Sequence, residues 1–368
     1  MRRERGYSLA ELIVVVAIVG VAILAAYGII GESMRTAMRI EGRNSLTTLA
    51  QRPVNILQVA VLHSRTVFSN DTIGQSYYTR IASQIPSDFT PLGNTRLPVV
   101  VVSETQIAPD DPATPQVGNC LLIARQLPPV FVNYDHDNDA STATVPFPID
   151  RYRFELYYLR PDTSRRFART LTPIDIVRFR SVEFADYFQL NPLIGTGGSF
   201  SATQKSQIVA YLAANGLTKS WDPTPGTDIT AAFYDLTTAG ANLGKWTVNN
   251  ATVLTRVDTK SLERDFTGGS ITGKIDYSIG FRKSTTEEFP IRHRIPLYAS
   301  YNSAAPLFPS GLEIKIVGVG PTQRTLARLV VMANYSGAQM RARATNEVRG
   351  VGWDSEEAEV IAASRQTM

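Results

Sequence analysis

The chain has 368 residues, 43% of them hydrophobic and 19% charged, which is the balance of a folded protein and excludes a mainly disordered one. The formal net charge of +4 is too small to indicate a nucleic-acid partner on charge alone. Because Cys120 is the single cysteine, an internal disulfide is excluded. The fold must therefore be stabilised by a buried core, in which Cys120 is predicted to act as a small apolar residue.

The first element along the chain is an apolar run with an acid at each end. Leu12 to Gly31 form twenty consecutive residues without a charge, between Glu11 and Glu32. As a helix rising about 1.5 Å per residue, the run spans about 30 Å, the thickness of one bilayer core. A secretory signal peptide fits poorly, because its apolar region is only about 7 to 15 residues long. A plain signal anchor fits the length but does not explain Glu11, since an acid near membrane depth is costly.

The residues before this run have a specific pattern: a short basic leader, MRRERG, then the aromatic Tyr7, then Glu11 at the fifth position after Gly6. This pattern resembles the processing signal of type IV prepilins and type II secretion pseudopilins. The resemblance implies that a prepilin peptidase cleaves between Gly6 and Tyr7 and methylates the new amino terminus. It also implies a role for Glu11 in subunit assembly, paired with the Tyr7 amine of a neighbouring subunit. The alternative is that Glu11 reaches the lipid headgroups as an ordinary anchor residue.

The resemblance also implies partners and a location. The N-terminal helix would contact other pilins and an inner-membrane assembly platform, first as a single-pass inner-membrane protein with a periplasmic head and later in a pilus at the cell surface. Gly20 and Gly28 lie where family members commonly carry Gly and Pro and where the helix can loosen during assembly. Because Gly28 replaces a proline, a sharp kink is not implied, and close helix packing through small residues is the alternative.

The helix is predicted to continue beyond the membrane. Apolar residues recur at spacings of three and four, which is typical of one buried helix face; they are Met34, Ala37, Met38, Leu46, Leu49 and Ala50. We therefore predict a leader over 1–6, a helix over 7–52 with its membrane span at about 12–31, and a head over 53–368. Pro53 is expected to end or kink the helix, and residues 54–68 to resume as a second one.

The head is predicted to be a large α+β unit of pilin-like class, built on an antiparallel sheet. Short apolar and β-branched runs separated by turn residues predict strands at 96–104, 119–127, 151–160, 175–184, 273–283, 289–301, 312–319 and 324–334. In 151–160, Tyr152, Phe154 and Leu156 alternate with polar residues, which predicts one buried and one solvent-exposed face. The segment 191–250 changes character and is a candidate insertion, with a short helix that ends at Gly216.

The motifs of common enzymes are absent from the sequence. It contains three histidines and lacks the HExxH, GxSxG, CxxC and GxxxxGK[ST] patterns. We therefore expect a protein that is not an enzyme and needs no cofactor.

One loop could bind calcium. Asp135, Asp137 and Asp139 stand at alternate positions, and carboxylates so spaced supply the oxygen ligands that calcium prefers. An EF-hand would have Gly at Ala140 and Glu at Pro146, so the full motif fails. The alternative is a solvated acidic loop between strands.

A basic segment is the other candidate site in the head. Residues 151–180 contain eight arginines and three acids, interleaved with aromatic residues. Arginines beside aromatics suit a phosphate backbone or single-stranded DNA, so Arg165, Arg166 and Arg169 are candidate DNA contacts. The alternative is an ordinary solvent-exposed face of a β-sheet, on which the arginines pair with acids elsewhere in the chain.

Together these features predict a minor pilin that takes part in the assembly or priming of a type IV pilus. Short matches in 151–160 and 175–184 resemble the large minor pilins of the PilW and J type, whereas Glu11 argues against the K-type tip pseudopilins. The alternatives are a minor pseudopilin of type II secretion, or a signal-anchored surface adhesin or DNA-binding protein. Adhesion, secretion and DNA uptake remain open as roles of the filament.

Overall fold

The computed structural model describes residues 8–91, 95–102, 117–135, 144–162, 174–195, 198–224, 232–236, 244–245, 269–271, 275–279, 311–318, 322–335 and 352–363. A long N-terminal helix leads into a head of two β-sheets with three further α-helices in its described part. The predicted α+β class, a long helix followed by a head on largely antiparallel sheet, is confirmed.

The N-terminal helix, α1, spans Leu9–Leu62 and contains Pro53. The prediction that Pro53 ends the helix is therefore wrong, and the second helix predicted over 54–68 is instead the last part of α1 followed by strand β1 (Ser64–Val67). Beyond Pro53, Val54 and Leu57 are at most 3% exposed. Burying each such side chain is worth about 1.5 to 3 kcal/mol, which offsets the roughly 3 kcal/mol cost of an internal proline.

The remaining elements follow in chain order. They are α2 (Thr72–Ala82), a short 3-10 helix (Ser87–Phe89), β2 (Val100–Val101), β3 (Leu121–Tyr134), β4 (Val145–Pro161), β5 (Ile174–Asp186), α3 (Tyr187–Ile194), α4 (Ala202–Ala214), β6 (Lys219–Trp221), β7 (Phe233–Asp235), β8 (Gly244–Lys245), β9 (Gly269–Ile271), β10 (Ile275–Ile279), β11 (Leu312–Val317), β12 (Arg324–Tyr335) and β13 (Gly352–Ala363).

The first sheet has the strand order β1-β3-β4-β5-β6-β7-β8 and is antiparallel except where β6 lies parallel to β5. In the second sheet, β13 pairs with β12 along its whole length, while β11 and then β10 pair with the other edge of β12. The helix α1 packs on β12 and β13 of this sheet.

Both faces of the first sheet are covered around β4. On one face, Tyr157 and Leu159 belong to a core shared with α1 and the second sheet. On the other, Phe154 and Leu156 belong to a second core that includes Tyr77 of α2. The prediction of one solvent-exposed face over 151–160 is therefore wrong here: the face that carries Tyr157 is buried because α1 and the second sheet lie over it.

The segment predicted as an insertion shares the first sheet with the rest of the head. The helices α3 and α4 connect β5 to β6, and their side chains form a third core against β3 and β4. The predicted stop at Gly216 is confirmed, because α4 ends at Ala214, Asn215 caps it, and Gly216 has a φ of 77°. The Gly216 and Leu217 N–H groups donate to the carbonyls of Ala213 and Leu212, which closes the helix end.

Most predicted strands are present. Those at 119–127, 151–160, 175–184, 312–319 and 324–334 correspond to β3, β4, β5, β11 and β12, and part of 273–283 is β10. The strand predicted over 96–104 is reduced to Val100–Val101, and the one at 289–301 lies outside the described residues. Cys120 is fully buried among apolar residues, as predicted.

Candidate functional site

The first turn of α1 is closed by Ser8 and Glu11. The Ser8 N–H donates to Glu11 Oε2 at 2.9 Å, and the Glu11 N–H donates to Ser8 Oγ at 3.3 Å. This reciprocal capping box satisfies two N–H groups, and the carboxylate lies at the positive end of the helix dipole. Gly6 and Tyr7 lie outside the described residues, so cleavage and methylation there stay predictions. In the single chain, Glu11 already has a local partner at the helix start.

The first half of α1 is exposed in the described part of the chain. The segment Leu9–Met34 is long and apolar enough to cross a membrane, and none of it is buried. A Cβ added at Gly20 or Gly28 would meet no atom within 4 Å. Nothing in the described part of one chain therefore requires glycine at these two positions, so their role in helix flexibility or packing stays a prediction about contacts with other molecules.

The second half of the same helix is part of the head. Ala50, Leu57, Ala60 and Val61 are at most 2% exposed and pack against both sheets. The exposed apolar segment and the head core are thus connected by one uninterrupted helix of 54 residues. A helix of this length is about 80 Å long.

The predicted calcium loop is described only at its first residue. Asp135 is half-buried, and its backbone carbonyl accepts a hydrogen bond from Gln204 Nε2 at 2.7 Å. Asp137 and Asp139 lie outside the described residues. Within the described ranges, no group of three or more potential metal ligands is present. Calcium binding by this loop stays a prediction.

The three arginines named as DNA contacts, Arg165, Arg166 and Arg169, also lie outside the described residues. Four other arginines of the basic segment lie on one face of the first sheet, together with Arg125 of β3; they are Arg151, Arg153, Arg178 and Arg180. We call these five residues the arginine strip. Arg160, by contrast, stacks on Phe89 with its guanidinium carbon 4.5 Å from the ring centre.

Two glutamates lie within the arginine strip. Glu155 Oε1 is 2.9 Å from Arg153 Nη2, 3.5 Å from Arg125 Nη1 and 3.7 Å from Arg180 Nε. Glu183 Oε2 is 2.9 Å from Arg151 Nη1. Five arginines and two glutamates leave a formal excess of three positive charges among these described residues. The sequence alternative of arginines paired with acids therefore holds for part of the basic segment.

Glu155 is the most buried charge in this group. Its side chain is fully buried, and Oε2 accepts a 2.6 Å hydrogen bond from the Tyr157 hydroxyl. Burial alone would raise the pKa of Glu155, but the Tyr157 hydrogen bond and the charges of Arg125, Arg153 and Arg178 together lower it. The carboxylate is thus held ionised in the interior.

Sequence reasoning did not identify this group. Arg125 stands in a different predicted strand from the basic segment, and the alternation in 151–160 places Glu155 on the face predicted to be solvent-exposed. The available signal was a single acid between apolar residues in FELYY, because a charge in a buried strand requires partners on the neighbouring strands.

A family model described as the prokaryotic N-terminal methylation motif matches residues 1–27. No curated protein and no solved structure matches the chain. The matched residues include the basic leader, Gly6, Tyr7, Glu11 and Gly20, and they end before the head begins.

Proposed function

We propose that this chain, whose residues 1–27 match the prokaryotic N-terminal methylation motif, is a minor pilin that takes part in the assembly or priming of a type IV pilus. The observation that carries this proposal is the division of α1 into an exposed apolar half and a buried half. An apolar helix that its own chain leaves uncovered must be covered by lipid or by helices of other subunits.

The proposed path begins in the inner membrane. Leu9–Met34 crosses the bilayer once, the basic residues Arg2, Arg3 and Arg5 stay in the cytoplasm, and the head lies in the periplasm. Prepilin peptidase cleaves after Gly6 and methylates the Tyr7 amine. The helix then leaves the bilayer and packs against those of other pilins at an assembly platform.

Glu11 has the central role in this step. Away from water, its carboxylate needs a partner, and the Tyr7 ammonium of a neighbouring subunit supplies one. The capping box shows how the acid is accommodated beforehand, since the Ser8 N–H already donates to it. Exchange of this local bond for an ion pair between subunits would favour one register of the helices.

The size of the head favours a minor subunit over a major one. After the leader and α1, which ends at Leu62, are removed, 306 of the 368 residues remain. A head of this size on every subunit would have to pack around a thin helical core. A few copies at the start of a filament avoid that crowding.

Mass spectrometry of the mature N-terminal peptide tests the processing step, in cells with and without the prepilin peptidase. We expect a peptide that begins with N-methylated Tyr7 and disappears when the peptidase is absent. An intact Met1 in cells that contain the peptidase would contradict the proposal and favour a signal-anchored surface protein.

Incorporation into sheared filaments tests the role of Glu11. We expect Glu11→Gln to be processed normally but to be lost from the filaments. Glu32→Gln is the matched control, because Glu32 is an exposed acid on the same helix just beyond the apolar run. Equal incorporation of both variants would contradict the proposed role of Glu11.

A further inference from the structure

The arginine strip lies between two layers that cover the same face of the first sheet. Residues opposite each other on paired strands share a face, and Arg125 is opposite Arg153, whereas Ile123 is opposite Glu155. Towards one end of β4 this face is covered by α1 and the second sheet, which pack on Ile123. Towards the other end it is covered by α3 and α4, which pack on Val130 and Ile149. The strip therefore lies in a recess between these two covering layers.

The guanidinium groups of the strip remain partly accessible. The side chains of Arg125 and Arg151 are each 23% exposed, that of Arg180 is 20% exposed and that of Arg153 17%. The Nε–H groups of Arg125, Arg153 and Arg178 are buried and donate to no acceptor within the described part of the chain. Because these Nε–H groups are buried, an outside ligand reaches the strip through its partly exposed side chains, and the formal excess of three positive charges favours an anionic ligand there.

The chemistry of the strip favours a carboxylate as that group. Carboxylate oxygens of Glu155 and Glu183 already lie 2.9 Å from a guanidinium nitrogen of the strip, so the strip accommodates carboxylates between its guanidinium groups. Single-stranded nucleic acid binds through exposed aromatic rings, but the aromatic residue in this group, Tyr157, is fully buried. The two resident carboxylates also repel a doubly charged phosphate monoester more strongly than a singly charged carboxylate.

The position of the strip excludes the membrane surface as its ligand. Arg125 is opposite Ser64, directly after the C-terminal end of α1. From Met34 to Leu62 the helix rises about 40 Å, which separates the strip from lipid headgroups at the other end of the helix. A ligand at this end of the head comes from another macromolecule rather than from the bilayer in which α1 is inserted.

We propose that the arginine strip binds a carboxylate-bearing segment of another protein subunit. The segment lies along the face of the first sheet between the two covering layers, and its Asp or Glu side chains accept hydrogen bonds from Arg125, Arg151 and Arg180. This inference deepens the proposed pilin function, because a filament supplies such neighbours, but its test does not depend on processing at Gly6.

The test uses the full chain purified in non-ionic detergent and a fluorescent hexaglutamate peptide as the probe. We expect salt-sensitive binding of hexaglutamate, measured by fluorescence anisotropy, and none of hexaglutamine. The double variant Arg151→Gln, Arg180→Gln should weaken binding at least tenfold. The charge-matched control is Arg52→Gln with Arg324→Gln, two exposed arginines outside the strip, which should leave binding unchanged.

Three outcomes would overturn the proposal. The first is that hexaglutamate does not bind at low salt, and the second is that both double variants weaken its binding equally. The third is that a single-stranded oligonucleotide binds more tightly than hexaglutamate and that only the strip variant loses this binding. If the strip variant fails to fold, phenylglyoxal modification of the unaltered protein decides. Hexaglutamate, but not hexaglutamine, should protect Arg151 and Arg180 from the reagent, and absence of protection would also overturn the proposal.

Discussion

Trp221 donates a hydrogen bond from its indole Nε1–H to the Tyr77 hydroxyl at 2.9 Å, although the two residues are 144 positions apart in the chain. Both side chains are buried, and the Tyr77 ring lies 5.4 Å from that of Phe154. This bond connects β6, which follows the α3–α4 crossover, to α2 on the face of the sheet away from α1. Burial raises the pKa of Tyr77 to about 12, so its hydroxyl stays neutral at physiological pH.

Tyr77→Phe should therefore destabilise the head. The ring still fills its place, but the Trp221 N–H is left buried without this acceptor, which should lower the free energy of unfolding by about 1 to 3 kcal/mol. Urea unfolding followed by far-UV circular dichroism measures the change. Tyr211→Phe is the control, because Tyr211 also packs in a core but no hydrogen bond of its hydroxyl is seen among the described residues. Equal effects would show that the bond to Trp221 contributes nothing measurable.

Glu155→Gln should be one of the more damaging single changes in the head. It keeps the shape of the side chain but removes the charge that Arg125, Arg153 and Arg180 surround. Breaking a buried ion pair from one side typically costs about 3 to 5 kcal/mol. Glu183→Gln provides the comparison, since Glu183 is 31% exposed and should cost less than about 1 kcal/mol. A smaller loss for Glu155 than for Glu183 would contradict the burial argument.

The same carboxylate should make stability depend on pH in a defined direction. The pKa of Glu155 is lower in the folded protein than its value of about 4.3 in an unfolded chain. Its contribution to stability is therefore complete above about pH 4.3 and is lost as the pH falls through the lowered pKa. Urea midpoints measured from pH 7 downwards should fall more steeply for the unaltered protein than for Glu155→Gln. Parallel slopes would exclude this group as a source of acid sensitivity.

The strands that could be predicted are those whose local pattern agrees with their place in the sheet. In β5 and β11, runs of Ile, Val and Phe between turn residues indicated the strand and its approximate ends. The end of α1 could not be predicted, because the cost of Pro53 is local, whereas the compensating burial of Val54 and Leu57 depends on both sheets. The acid-rich β13 lacks a strand pattern of its own and forms along β12.

The two candidate sites also differ in whether the sequence alone predicts them. Gly6, Tyr7 and Glu11 could be named from the sequence because the processing signal is linear and is matched over residues 1–27. The arginine strip could not, because it needs the register that brings Arg125 opposite Arg153 and Arg180 opposite Glu155. The basic segment is visible in the sequence, but the pairing of strands β3, β4 and β5 decides which arginines face inwards, and the local sequence pattern does not reveal that pairing.

Gly216→Ala should destabilise the end of α4. The φ of 77° at this residue lies in the left-handed region, where a Cβ costs about 1 kcal/mol or slightly more. No neighbouring atom lies within 4 Å of the added Cβ, so the effect comes from the backbone alone. Gly216→Asn is the control, because asparagine tolerates this conformation better and should recover part of the loss in urea unfolding. Equal losses for Ala and Asn would point to a cause other than φ.

Cys120 should report the opening of the sheet core. Its side chain is fully buried and its thiol donates to the Arg96 carbonyl at 3.1 Å, while burial raises the pKa of the thiol. Because the thiolate is the reactive form, N-ethylmaleimide should label the native protein very slowly and the urea-unfolded protein at the rate of a free thiol. Tyr77→Phe weakens the same core and should raise the native labelling rate about tenfold for each 1.4 kcal/mol of stability lost, whereas Glu32→Gln, on the exposed part of α1, should not change it. Rapid labelling of the unaltered native protein would show that the sheet opens locally at β3 without global unfolding.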